Sequence, residues 1–522
     1  MKIAAFFLVF GLLSAGFVCT PTAARRAVLM YKADYAAPHR PQFHFSPQRM
    51  WMNDPNGMVY FRGEYHLFYQ FHPDGLTWGP MHWGHAVSRD LVHWRHLPIA
   101  LRPDSLGMIF SGSVVVDEAN TSGFGQPGKG PLVAIFTQHD MPGEKAGRID
   151  FQTQSIAYSL DEGRTWTMHT GNPVIPNPGI RDFRDPKVLW HAPSRHWVMV
   201  LAAADRVRFY RSPDLKKWEF TGEFGAKDGA HGGVWECPDL FEMPVGGTGE
   251  KRWVLLVSIN PGAANGGSGT QYFIGDFDGK NFRNAAPPTE TLWLDAGRDN
   301  YAGVTWFGAP GGRRLFIGWM SNWDYAQEVP TNPWRSAMTV PRELHLRQSP
   351  AGLRVCSEPV LELNELRKNT TPIPLQTIEN QWILPEKDNA ALREIVLEID
   401  LAATTASVFG IRLFNSKGEE MLVGYDTRTR QFFTDRTRAG KVAFNPKFAA
   451  GRHVAPRISE GNKLTMRLLC DVSSVELFAD DGATAMTDLF FPTQNFHQAA
   501  VFAQGGRVKV AGGTHWGLGK IW

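Results

Sequence analysis

Three stretches far apart in the chain share one pattern. Asp54-Pro55 leads into "GMVYFRGEYHLFYQF", Asp185-Pro186 into "KVLWHAPSRHWVMVLAA", and Glu236-Cys237-Pro238 into "DLFEMPVGGTGEKRWVLLVSI". In each, an acid and a nearby proline precede an apolar strand, a polar turn and a second apolar strand. Roughly 30 to 50 residues after each acid comes an Asp-containing turn that ends on an aromatic, in the spacing range of repeat arrays. These turns are "SRDLVHW", "SPDLKKW" and "DFDGKNF", with "SLDEGRTW" as a fourth. Each follows an alternating strand: "HWGHAV", "VRFYR", "TQYFIG" and "QSIAYS", the mark of a hairpin with one wet face. Two further units fill the gaps, "FSGSVVVD" with "LVAIFTQ" and "DNYAGVTW" with "RLFIGWM". Five such units predict an all-β fold, a closed five-bladed β-propeller over residues 40–345. The first strands of the blades then line a central funnel, so acids from units one, three and four meet there. The competing account is that each acid only caps its own strand.

Composition bears on this in a few places. Eighteen Trp and 34 Phe with 52 Gly and 35 Pro describe aromatic strands joined by tight turns. Indole faces also stack on the C–H faces of sugar rings, although core filling is the simpler account of any single Trp. A hydrophobic content of 43% and a charged content of 20% are those of a globular protein. A net charge of +3 without a dense Lys/Arg run argues against nucleic acid as a partner. After "MTVPRELHL" the texture changes. "ELNELRKNTTPIPLQT" reads as a connecting stretch, residues 346–374. From 375 to 522 short alternating segments ("LREIVLEIDL", "SVFGIRLF", "QFFTDRT", "KLTMRLLCDVSSVELFAD") alternate with turns such as "SKG" and "DDG", which predicts a C-terminal β-sandwich.

The chain begins "MKIAAFFLVFGLLSAGFVCTPTAARR". Lys2, an apolar run to Val18 and small residues ending near Ala24 form the layout of a secretory signal over residues 1–24, which implies a secreted or periplasmic protein. Phe17 and Val18 stand where a lipid anchor at Cys19 would take small residues, which argues against one. No other apolar run reaches the ~20 residues a membrane span requires. Cys237, Cys356 and Cys470 are scattered, neither a disulfide framework nor a zinc site.

Three carboxylates converging on one pocket suit acid–base work on a neutral substrate. Metal binding has little support: no H-E-x-x-H spacing occurs, and none of the three segments is a carboxylate-dense loop. No cofactor is expected. Glycoside hydrolysis requires one ionised carboxylate to attack the sugar carbon and one protonated acid to help the leaving oxygen depart. Amides flank Asp54 in "WMNDPNG", which favours its charged form. Val234, Trp235 and Cys237 flank Glu236, and apolar surroundings raise a carboxyl toward a general acid's range. Arg184 should keep Asp185 ionised, and the two together could grip vicinal hydroxyls.

"WMNDPNG", "FRDP" and "WECP" resemble the three signature motifs of glycoside hydrolase family 32, which holds invertases, inulinases and levanases. Similar segments run through "HLFYQFHPDGLTWGPMHWGHAVSRDLVHWRHLPIAL", "FSGSVVVDEANTSGFG" and "NPWRSAMTVPREL" to "SSVELFADDG" and "TDLFFPT", nearly the whole mature chain. The resemblance implies a propeller followed by a sandwich, with Asp54 as nucleophile, Glu236 as general acid/base and Asp185 as the stabiliser of ring hydroxyls. It also implies that Asn53, Gln70, Trp78, Phe110, Ser111, Arg184 and Trp323 form the pocket. The expected reaction is retaining release of terminal fructose from levan or inulin, and from sucrose, through a covalent fructosyl-enzyme. "DSLGMIFSGSVVVDEANTSGFG" and "NPGAANGGSGTQYFIGDFDG" look closer to the levanase and exo-inulinase branch. A fructosyltransferase with the same nucleophile is the alternative. A non-catalytic fructan-binding protein is a third reading, opposed by the three intact acids.

Overall fold

Strand alternation and turn chemistry build residues 50–359 into five sheets. The computed structural model describes residues 33–126, 128–385 and 391–522; the expected leader over 1–24 and Cys19 lie outside them. The first sheet runs from the innermost strand Met50–Phe61 through Glu64–His72 and His82–Ser88 to Trp94–Leu101. The second begins at Met108–Val116, the third at Phe183–His191, the fourth at Val234–Pro244 and the fifth at Tyr301–Thr305. Each then pairs antiparallel outward, and neighbouring innermost strands pack side by side around a ring. The ring closes between the first and fifth sheets, where Phe307 donates its N–H to the carbonyl of Met58 and accepts from Tyr60. These are the five expected blades. Among the described residues the one α-helix is Met141–Lys145, and no helix is long and apolar enough to cross a membrane.

The recurring Asp turns link the third and fourth strands of blades one to four. Asp90 Oδ1 accepts from the backbone of Val92 at 2.9 Å and His93 at 2.8 Å. Asp214 does the same for Lys216 and Lys217, and Asp278 for Lys280 and Asn281. Asp161 accepts from Thr165 instead. The side chain thus replaces ladder partners that the turn takes away. The residue after each Asp has a positive φ: Leu91 64°, Glu162 62°, Leu215 61° and Gly279 90°. Where the closing aromatic is Trp, its indole N–H binds back into the turn, to Leu91, Gly163 and Leu215.

Two further sheets follow. One carries Arg367–Ile373, Val508–Leu518, Arg393–Asp400, Lys463–Asp471, Ser474–Ala479 and Thr484–Leu489 in that order. The other carries Gln381–Ile383, Gln498–Gln504, Val408–Phe414, Glu420–Asp426, Gln431–Arg438 and His453–Pro456. Ile395, Leu397, Phe409, Ile411, Leu464, Met466 and Val501 fill the space between them. The stretch expected to be a linker, 346–374, is instead built into both parts. Arg342–Ser349 and Gly352–Pro359 form the outer hairpin of the fifth blade, with Leu344, Leu346 and Val355 buried. Arg367–Ile373 already forms an edge of the sandwich. Its Pro372 suggested a loop, but an edge strand tolerates proline because one side of its ladder is unpaired.

Buried charges join the two parts. His44 of the propeller meets Asp471 through Nδ1 and Glu476 through Nε2, each at 2.8 Å. Arg342 binds the same Glu476 and, at 2.9 Å, Asp295. Arg436 of the sandwich binds Asp299 at 2.5 Å and the hydroxyl of Tyr325 at 2.7 Å. Burial alone would push His44 down, but its bonds to two carboxylates carry it up to about 9. A folded-state value raised above the unfolded one contributes stability that is complete below pH 6.5 and lost as pH rises through about 9. That contribution is on the order of 3 kcal/mol. Between pH 6 and 9.5 the wild-type thermal midpoint should therefore fall more steeply than that of His44→Gln. Parallel slopes in differential scanning calorimetry would exclude a charged His44.

Candidate active site

The ladder breaks at the head of every innermost strand. Pairing slips between Met52 and Pro55 in blade one, between Ile109 and Gly112 in blade two and between Glu236 and Asp239 in blade four. The same happens between Tyr301 and Val304 in blade five and opposite Asp185-Pro186 in blade three. Such bulges turn a strand's side chains out of the usual two-faced alternation. Proline fits where no ladder N–H is needed, which is why each acid has one within two residues of it. Asp185, Cys237 and Ala302 adopt φ of 67°, 45° and 53° there. "WMNDPNG" is thus a bulged strand, not the turn its residues suggest. Gly57 has φ 52°, and a Cβ on it would come within 3 Å of Trp83, Phe68 and Val114, so no other residue fits.

Asp54 is half-buried. Its Oδ1 accepts from the Asn53 amide at 2.9 Å and its Oδ2 from the Ser111 hydroxyl at 2.6 Å. Trp51 holds Asn53 in place through its indole N–H, 2.7 Å from Asn53 Oδ1. The Cys237 thiol lies 3.5 Å from Asp54 Oδ2 and 3.6 Å from Asp185 Oδ2, while the Cys237 backbone N–H donates to Asp185 at 3.0 Å. Glu236 Oε1 accepts from Arg184 Nε at 3.1 Å and Nη2 at 3.0 Å, and its Oε2 accepts from the Tyr301 hydroxyl. Arg184 Nη1 donates to Asp182 at 2.7 Å. Cys237 bridges Asp54 and Asp185, and Arg184, the residue before Asp185, binds Glu236, so the three acids sit in one cluster.

Burial dominates the electrostatics. It raises Asp54 above the ordinary carboxylate range; the Ser111 bond opposes this, the nearby charge of Glu236 adds to it, and the Asn53 bond opposes it in turn. Asp185 is pushed up to about 7, by burial first, with Arg184 pulling against it and the charges of Glu236 and Asp54 adding to it. Two expectations are corrected here. Amides do favour ionised Asp54, but desolvation outweighs them. Arg184 pulls Asp185 down but does not secure it ionised, because burial outweighs that pull. Burial, followed by the three carboxylates, also raises Cys237 far above an ordinary thiol, so it remains S–H, a donor to the acids.

The other expected residues are arranged around this cluster. Asn53 and Ser111 are buried against Asp54. Phe110 stacks on His139 with centroids 4.3 Å apart, and Trp78 meets it edge-on at 6.1 Å. Trp323 lies 5.9 Å from Trp51. Gln70 is one strand further out and buried, its amide donating to Asn56 at 2.8 Å. Sequence reasoning missed Tyr301, Trp51, Asp182 and the thiol of Cys237. Tyr301 could have been found, because it opens the fifth repeat as Asp54 opens the first.

The sequence model for the glycosyl hydrolases family 32 N-terminal domain matches residues 44–359, and that for the family's C-terminal part matches 362–517. Over 497 residues the chain is 51% identical to a levanase of Bacillus subtilis (strain 168), covering 94% of this chain and 72% of the levanase. It is 40% identical over 512 residues to an extracellular exo-inulinase of Aspergillus niger, covering 92% of this chain and 94% of that one. The crystal structure of exo-inulinase from Aspergillus awamori superimposes with a TM-score of 0.86 at 37% identity, over 94% of this chain and all of the other. The β-fructofuranosidase of Schwanniomyces occidentalis complexed with fructosyl-erythritol gives 0.84 at 32% identity, over 94% and 99% of the two chains.

The Ser111 hydroxyl favours the ionised form of Asp54. In Ser111→Ala the acid limb of the kcat/KM profile should therefore move to higher pH, by roughly one unit for a lost bond to a charged group. A limb that stays in place or moves down would separate Asp54 from that limb.

Proposed function

The chain belongs to glycosyl hydrolase family 32, and from that premise we propose that it is a retaining β-fructosidase. It releases terminal fructose from β-linked fructans and also cleaves sucrose. The observation that carries this reading is the pairing at the funnel head. Asp54 is held by Asn53 and Ser111, and Glu236 is held by Arg184 and Tyr301. Levanases and exo-inulinases among the relatives support the fructan preference over sucrose alone.

In the first step an Asp54 oxygen attacks the anomeric carbon of the terminal fructose. The carbon–oxygen bond to the rest of the chain breaks as Glu236 gives its proton to the departing oxygen. The fructosyl unit is left esterified to Asp54. In the second step Glu236, now a carboxylate, takes a proton from water as that water attacks the same carbon. Free fructose leaves, and both carboxyls return to their starting forms with net retention. Arg184 and Tyr301 keep the Glu236 carboxyl oriented through both steps and stabilise it while it is charged. Asp185, close to its midpoint at neutral pH, accepts hydrogen bonds from ring hydroxyls, and each such bond favours its ionised form. Trp78, Phe110 and Trp323 offer flat apolar faces to the ring carbons. A leader over 1–24 would deliver the enzyme outside the cytoplasm, where polymeric fructan is found.

Product analysis on levan, inulin and sucrose tests this reading. Fructose should be the sole early product from both polymers. Asp54→Ala should lower kcat by roughly 10⁴-fold or more, because the covalent route is lost. Early accumulation of longer oligomers would identify a transferase, and undiminished activity in Asp54→Ala would end the mechanism.

A further inference from the structure

Trp323 is on the segment between Leu315–Met320 and Trp334–Arg335, where no sheet ladder fixes it. Its indole packs on Trp319 at 4.9 Å and on Trp51 at 5.9 Å. Trp51 in turn donates to Asn53, and Asn53 donates to Asp54. The seating of this one side chain therefore bears on the nucleophile through three successive contacts. The backbone N–H of Trp323 is held by the Ser268 hydroxyl at 3.1 Å. The firmer hold is on the next residue. Asp324 Oδ2 accepts from Arg298 Nη2 at 2.6 Å, and Oδ1 accepts from Lys447 Nζ at 2.7 Å. The Asp324 carbonyl accepts from Asn445 Nδ2 at 3.1 Å. Arg298 is 6% exposed and also donates to the Lys447 carbonyl at 2.5 Å. Arg298 belongs to the propeller; Asn445 and Lys447 belong to the sandwich. No contact joins Asp324 to the acids.

We infer that Asp324 is a positioning residue. Clamped between Arg298 on one side and Lys447 with Asn445 on the other, it holds Trp323 against Trp51, so that the sandwich helps to set how the terminal sugar seats beside Asp54. The inference rests on the reading of Trp323 as a pocket wall. Its two arms differ in weight. Lys447 is 64% exposed, so its pairing is solvent-screened and weak. Arg298 pairs out of water and carries most of the restraint.

A double-mutant cycle on sucrose hydrolysis provides the test, with thermal midpoints recorded for each protein. Trp323→Ala should raise KM roughly tenfold through loss of one pocket wall. Asp324→Asn keeps the side chain's size while losing its charge, and it should raise KM by roughly three- to tenfold. If Asp324 acts through Trp323, the double variant should be no worse than Trp323→Ala alone, the non-additivity expected of coupled residues. Multiplicative losses would overturn the inference, because a merely structural role adds independently. Lys447→Ala, at an exposed site where folding is not at stake, should raise KM by about twofold at low salt and by less at high salt. No rise at low salt would remove the sandwich from the device. Unchanged kinetics in Trp323→Ala would overturn the pocket-wall reading and this inference together. Damage confined to Trp323→Ala would overturn the inference alone.

Discussion

The interrupted hydrogen-bond ladder at the head of the five innermost strands governs the rest of the site. A regular strand would show alternate side chains to its two faces. Neighbouring residues such as Asn53 and Asp54, or Glu236 and Cys237, could not then serve the same cavity. By slipping register at the bulges, the strands bring adjacent side chains to bear on one point. The cost is a set of backbone groups without ladder partners, and side chains supply several of them. Thr137 accepts from the N–H of Asp185, and Asp185 accepts from that of Cys237. The acids are thus part of the scaffold that holds them. That is why the cluster can be buried and rigid together.

The same economy recurs where the two parts of the chain meet. Arg342, Arg436, His44 and five carboxylates are withdrawn from water between propeller and sandwich. Buried arginine–carboxylate pairs add little net stability, because desolvation offsets most of their attraction; His44 is the exception, its bonds to two carboxylates outweighing its burial. Their geometry is exacting, however, and an apolar interface would tolerate sliding that this one does not. A fixed sandwich is what allows Asn445 and Lys447 to hold a propeller loop at a constant place.

How much of this was legible in the sequence follows from the range of each interaction. The Asp turns were readable because their chemistry is local: Asp90, Asp214 and Asp278 bond residues two and three positions ahead. The convergence of Asp54, Asp185 and Glu236 was readable because a repeat carries each to an equivalent position. Partnership was not readable. Arg184 adjoins Asp185 in the chain, but its fork reaches Glu236, 52 positions away. Nothing in the local pattern discloses which of two neighbours a long flexible side chain selects. The connection after residue 345 was misread for a related reason. Pro and Thr mark loops on average, and only the partner strand Val508–Leu518 shows that Arg367–Ile373 is an edge.

The charge balance explains why the site can attack a neutral sugar near neutral pH. The Arg184 guanidinium binds Glu236 and is itself shared with Asp182. Ionising Asp54 and Asp185 away from water is expensive, so both hold their protons to higher pH than isolated acids would. Desolvation does most of this, and the mutual repulsion of Asp54, Asp185 and Glu236 adds to it. Ser111 and Asn53 donate to Asp54 and favour the charge there. Asp185, near its midpoint, changes its protonation with what binds it. In the proposed reaction, incoming hydroxyls that donate to it would tip it toward the anion, and that anion would favour the positive charge developing on the fructosyl ring as the glycosidic bond opens.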